Sequence, residues 1–161
     1  MTPATKEWLS QKIPDFGNLK EDEINLILDF TLLWSLFEGT HLKANGDVKT
    51  IRNYVNILER ENKLTNCSID EYLDYLKTRY YKNGKLTEYF HNLHIERSGN
   101  PAEVIEAICD NTAKDKIKFI GCLIIIYRLR NNLFHGVKWE YKFIGEKNNF
   151  LNANNFLKSL M

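Results

Sequence analysis

Proline is almost missing from this chain, with three residues at positions 3, 14 and 101. The long stretch from Asp15 to Asn100 therefore lacks the residue that breaks a helix by removing a donor and clashing with the preceding turn. Cysteine is as scarce. Cys67, Cys109 and Cys122 are odd in number, far apart and include no C-x-x-C pair. That argues against a disulfide framework or a zinc site and fits a reducing cytoplasm. Long apolar runs are missing too. The longest is Leu123 to Tyr127, or Phe119 to Tyr127 if Gly121 is allowed, far short of the ~20 residues of a membrane span. The N-terminus, Met1 to Lys6, has no basic-then-apolar targeting pattern. Nor does one sign of charge dominate: 22 Lys and Arg stand against 21 Asp and Glu. A broad basic face that coats nucleic acid is not expected, so any handling of RNA falls to a local site or to a partner's grip.

What is present is a chain of 161 residues, 43% hydrophobic and 27% charged. This is enough for one domain, residues 1–161, with a core that needs no cross-links. No repeat, low-complexity tract or linker divides it. Apolar residues recur at helical spacing in several segments. Glu21 to about Lys43 is dense enough in Ile, Leu, Phe and Trp to be a central helix. Asp47 to Asn62 puts Val48, Ile51, Tyr54, Val55 and Leu58 on one face, with Asp47 as N-cap. Ser68-Ile69-Asp70-Glu71 reads as a capping box opening the next helix. Leu86 to His94 reads as a shorter helix, and Asn100-Pro101 as the cap and first position of a helix running to Asp110. The longest helix is expected from about Ala113 to Phe134, roughly 30 Å at 1.5 Å per residue, with Gly136 ending it in a left-handed conformation. Val137 to Ile144 reads equally as a turn or a short strand. Asn148 to Met161 closes the chain as an amphipathic helix. The expected fold is all-α, a compact bundle of about five to seven helices.

The end of the longest helix carries the chemistry. Tyr127-Arg128-Leu129-Arg130-Asn131-Asn132-Leu133-Phe134-His135-Gly136 sets two Arg, two Asn and a His where an apolar helix runs out. Burying such groups without partners costs several kcal/mol, so the cluster calls for a partner, and an RNA phosphate is one candidate. Arg128 and His135 are seven apart and share a face. Asn131 and Asn132 are direct neighbours of His135. Arg130 is offset from His135 by about 140° on an ideal helix. It reaches that face by curling back, or by meeting the His of a second copy.

RNA cleavage through the 2′-hydroxyl needs a base, an acid and a cation to steady the charged phosphorane. Histidine suits the proton work with its ordinary pKa of about 6.5. Arginine stays charged and grips two phosphate oxygens in a fork. Asparagine can orient either one. The competing reading is plain: Arg and His satisfy the last carbonyls and dipole of the helix.

At these residues the chain resembles HEPN domains (higher eukaryotes and prokaryotes nucleotide-binding). Arg130-Asn131-Asn132-Leu133-Phe134-His135 is similar to their signature: an Arg, a polar residue, then a His after four to six intervening residues. The setting, late in a small helical protein at the end of a long apolar helix, is similar as well. The resemblance implies a HEPN-like bundle with Arg130 and His135 catalytic and Asn131 supporting them. Arg128 also fits the spacing; Arg130 is preferred because Asn131 directly follows it. It further implies a metal-independent endoribonuclease without cofactor, of the kind found in toxin–antitoxin and antiphage systems. Such proteins commonly form a homodimer with a composite cleft and are held by an antitoxin or regulatory protein. Some family members only bind nucleotides or proteins, and that is the alternative function.

Other residues are weighed beside these. Glu38, at the end of the central helix, either pairs with Arg130 or Arg128 or is simply solvated. His41 joins the cleft or lies at the surface. His91 and His94 have a metal-binding spacing but no third ligand nearby. Tyr72, Tyr75, Tyr80, Tyr81 and Tyr89, interleaved with Lys77, Arg79, Lys82 and Lys85, either stack RNA bases or form core with snorkelling cations. Finally, Ile124, Ile125 and Ile126 point in three directions, so the longest helix is covered either within one bundle or partly by a second subunit.

Overall fold

A computed structural model describes residues 1–13, 15–64, 69–99, 101–136, 143 and 145–161. Eight α-helices occur among them, with one two-stranded hairpin: α1 (Pro3–Lys12), α2 (Glu21–His41), α3 (Val48–Arg60), α4 (Ile69–Tyr80), β1 (Tyr81–Lys82), β2 (Lys85–Leu86), α5 (Glu88–His91), α6 (Ala102–Cys109), α7 (Asp115–Phe134) and α8 (Lys147–Ser159). The protein is an all-α bundle. No described helix is long and apolar enough to cross a membrane.

Local chemistry sets most of the boundaries. Asp47 caps α3, its carboxylate accepting from Thr50 N at 2.7 Å while the Thr50 hydroxyl accepts from Asp47 N. Gly136, just past α7, adopts φ 81°, the left-handed turn that a residue without a Cβ makes freely. The expected caps Ser68 and Asn100, and nearly all of Val137 to Ile144, lie outside the described residues.

The segment before His94 differs from the expected helix. Asn83 and Gly84 both have positive φ, 52° and 75°, and pair Tyr81 with Leu86 across a two-residue turn. Such a turn matches the twist of its strands and favours Asn-Gly. Only the four residues of α5 are helical there. Helix α1 was not anticipated because it has no apolar face, and none of its residues is buried.

Helix α7 is the axis of the bundle. Every residue from Phe119 to Ile126 is buried. Helix α6 lies so close that a Cβ on Gly121 would stand 2.6 Å from Ala107 Cβ and 2.8 Å from the Glu103 carbonyl oxygen. Helix α3 runs along another side, tied at the start of α7 by Lys116 to Glu59 at 2.7 Å. Helix α8 fills the remaining side of the core. It stacks Phe156 on Tyr72 of α4 with ring centres 5.0 Å apart, and sets Phe150 edge-on to Phe30 of α2 at 5.2 Å. The three isoleucines are thus covered within one chain, with no second subunit required.

Candidate functional site

Past its buried middle, α7 emerges polar. Arg128 is 4% exposed, Asn131 and Asn132 are buried, Arg130 is half-buried, and Phe134 and His135 are exposed. Successive side chains turn by 100°, so these residues split into two sets.

One set faces the turn after α5. Arg128 donates from Nε to the Leu93 carbonyl at 3.0 Å, from Nη1 to Ser98 Oγ at 3.5 Å and from Nη2 to Asn132 Oδ1 at 3.1 Å. Asn132 donates from Nδ2 to the carbonyls of Asn92 and Leu93 at 3.1 and 3.3 Å. The partner of these two buried polar side chains is therefore backbone, some 35–40 residues away in sequence. Burial works against the Arg128 charge and lowers its pKa, but a guanidinium stays ionised through any accessible pH. Arg128 is spent on holding this turn.

The other set is Arg130, Asn131 and Phe134. Arg130 donates from Nη1 to Asn131 Oδ1 at 2.9 Å and lies over the Phe134 ring, 5.0 Å from its centre. Its Nε is buried with no hydrogen-bond partner, and it pairs with no carboxylate among the described residues. This contrasts with Arg52, bound to both oxygens of Glu103 at 2.7 and 3.0 Å, and with Arg79, bound to Glu146 at 2.9 Å.

His135 is the last residue of the turn. Its backbone N–H closes onto the Asn131 carbonyl at 2.9 Å, while its exposed imidazole makes no hydrogen bond among the described residues. No hydrogen bond joins it to Arg130, which the helix carries to a different side. The structure brings Asn131 to Arg130 and Asn132 to Arg128; it does not bring either guanidinium onto the imidazole.

Glu38 is engaged elsewhere. Its two oxygens accept from Trp34 Nε1 at 2.8 Å and from Gly46 N at 2.7 Å, so it ties the end of α2 to the start of α3 and neither Arg takes it as a partner. His41 sits between the rings of Phe37 and Tyr54, 5.3 and 5.1 Å from their centres. That desolvation lowers its pKa. His94 Nδ1 lies 3.2 Å from Glu96 Oε1, and no group of three metal-ligating side chains converges among the described residues.

The tyrosine stripe is mostly interior. Tyr72 and Tyr80 are buried. The Tyr80 and Tyr75 hydroxyls donate to Asn149 Oδ1 at 3.3 and 3.5 Å, and Asn149 Nδ2 donates to Glu146 Oε2 at 2.9 Å. Arg79 closes this network and lies over the exposed ring of Tyr89, 4.4 Å from its centre. Sequence reasoning missed the network because its acidic and amide members come from α8 and the residue before it.

No family model, curated protein or solved structure matches this chain.

Proposed function

We propose that this chain is a metal-independent endoribonuclease of HEPN type that cleaves single-stranded RNA in the cytoplasm as a homodimer. A toxin or antiphage role, restrained by a partner protein, follows from the hazard that such an activity poses to its host. The observation that carries the reading is Arg130. A half-buried guanidinium that no carboxylate neutralises among the described residues, held by Asn131 and stacked on an exposed Phe134, is suited to an incoming anion. Arginine binds phosphate through paired N–H donors, and its stack on a ring face limits how far it swings. His135, one residue beyond Phe134, offers an imidazole open to solvent, the side-chain type most often used as base or acid in proton transfer.

The helix places Arg130 and His135 about 140° apart, so one protomer does not close a site from these two alone. Two copies related by a two-fold axis would set the Arg130 of one against the His135 of the other. In that cleft the base takes the ribose 2′-hydroxyl proton and the 2′-oxygen attacks phosphorus. The bond to the 5′-oxygen breaks as an acid gives that oxygen a proton, leaving a 2′,3′-cyclic phosphate and a 5′-hydroxyl. Arg130 would hold the phosphorane charge.

The experiment is cleavage of single-stranded RNA in EDTA by wild type, Arg130→Ala and His135→Ala. An enzyme loses at least a hundredfold in rate in either variant, the range for removing a proton-transfer group (His135) or a donor that stabilises transition-state charge (Arg130), with its melting temperature held. A helix cap instead loses roughly 1 kcal/mol of stability. A module that only binds nucleotides or proteins shows no cleavage even as wild type.

A further inference from the structure

The side chains of Arg128 and Asn132 converge on the carbonyls of Asn92 and Leu93, immediately before His94. His94 follows in the left-handed region, φ 54° and ψ 50°, a conformation that costs a non-glycine residue energy and persists where surrounding contacts impose it. Those contacts are two buried side chains of α7. The His94 imidazole is also oriented: its Nδ1 meets Glu96 Oε1 at 3.2 Å. The same guanidinium reaches past this pair to Ser98 Oγ at 3.5 Å, so the turn that carries His94 and Glu96 is held at both ends by Arg128.

Helix spacing sets His135 on the side of α7 that faces this turn, seven residues after Arg128. This histidine follows Asn132 by three residues, on the adjoining strip of the helix surface, and helix side chains lean back over the preceding turn. His94 is thus one residue from the Asn132 contact along one segment, and His135 is one turn from it along the other. Glu96 further borders a hollow lined by Phe90, His91, Ile95, Pro101 and Ile105, where apolar side chains meet groups able to hydrogen-bond a nucleobase.

The geometry points to His94, positioned by Glu96, as the second proton-transfer group of a site whose first is His135, with a nucleobase of single-stranded RNA in the adjoining hollow. This rests on the ribonuclease reading. The neutral imidazole of the pair takes the 2′-hydroxyl proton as the 2′-oxygen–phosphorus bond forms. The protonated one gives its proton to the 5′-oxygen as that bond breaks. The two have then exchanged protonation states, and solvent restores them. Glu96 is a positioning residue: it fixes the ring so that Nε2 faces the reaction.

The test uses the full chain, a single-stranded oligoribonucleotide in EDTA, and inorganic phosphate as an NMR probe. His94→Gln is expected to lower kcat about a hundredfold with KM within twofold, and Glu96→Gln about tenfold. Phosphate is expected to move the imidazole signals of His94 and His135 in wild type along one saturation curve. His94→Gln cleaving at the wild-type rate while His135→Ala is inactive overturns the inference and leaves the ribonuclease reading standing. Should His94→Gln fail to fold, phosphate moving His135 alone in wild type overturns it equally. Wild type that cleaves no RNA sinks both together.

Discussion

At the scale of single residues, the polar groups of this protein divide by whether the fold has already used them. Glu38 is used. Removing its carboxylate strands the N–H of Trp34, a ring only 2% exposed, and an orphaned buried donor costs about 1–3 kcal/mol. Glu38→Ala should lower the melting temperature accordingly and Glu38→Gln less, since the amide keeps one acceptor. RNA cleavage per folded molecule should be unchanged in both, measured after correction for the folded fraction. His41 is used differently, as an uncharged ring between Phe37 and Tyr54. Its pKa is below the ordinary 6.5 in the folded state. As pH falls through about 6.5 the unfolded chain therefore takes up a proton that the fold resists. The stabilising contribution is whole above that pH and drains away below it. His41→Phe should flatten the loss of stability between about pH 7 and pH 5, read from urea midpoints across that window. Much of this was hidden in the sequence. The carboxylate of Glu38 and the guanidinium of Arg128 are each compatible with several partners when only their spacing is known. Their partners are Gly46 and Leu93, set by how α2 meets α3 and how α7 meets the turn after α5.

At the scale of elements, α6 and α7 show how one missing side chain sets a packing distance. The Glu103 carbonyl and Ala107 occupy the space where a Cβ of residue 121 would go. Alanine is the better helix former by about 1 kcal/mol, yet a fixed backbone oxygen does not yield as a flexible side chain would. Gly121→Ala should force the helices apart at a net loss of about 2 kcal/mol, visible as a lower midpoint in thermal unfolding. Gly121 read from sequence is an interruption of an apolar run; in the fold it is a point where α6 leaves no room for a Cβ. The hairpin before α5 carried a signal, Asn83-Gly84, that periodicity alone passed over. Asp47, by contrast, was legible as a cap because all its partners lie within three residues.

At the scale of the whole molecule, the proposed ribonuclease site requires Arg130 and His135 to meet at one phosphate. The helix turns them apart within one chain, and the composite cleft proposed here supplies Arg130 from one protomer and His135 from the other. Mixing inactive Arg130→Ala with inactive His135→Ala should then restore about a quarter of wild-type cleavage, because half of randomly paired dimers are mixed and each rebuilds one of two sites. A site built within one protomer gives no recovery on mixing. Gel filtration of the mixture against wild type checks that dimers form at all.

The sequence by itself determined that this chain is helical and where most helices begin and end, but it put Glu21 to about Lys43 at the centre, the place that α7 holds while α2 leaves Leu32 and Leu36 exposed. Those outcomes depend on apolar spacing and on caps whose atoms lie within a turn of one another. Only the tertiary structure decided which polar side chains at the end of α7 are occupied. Arg128 and Asn132 found their carbonyls across a gap of 35–40 residues. Arg130, two positions away, was carried by the turn of the helix to a side where no carboxylate of the described residues pairs with it. A local pattern names the donors; the acceptors are chosen by packing, which no spacing encodes.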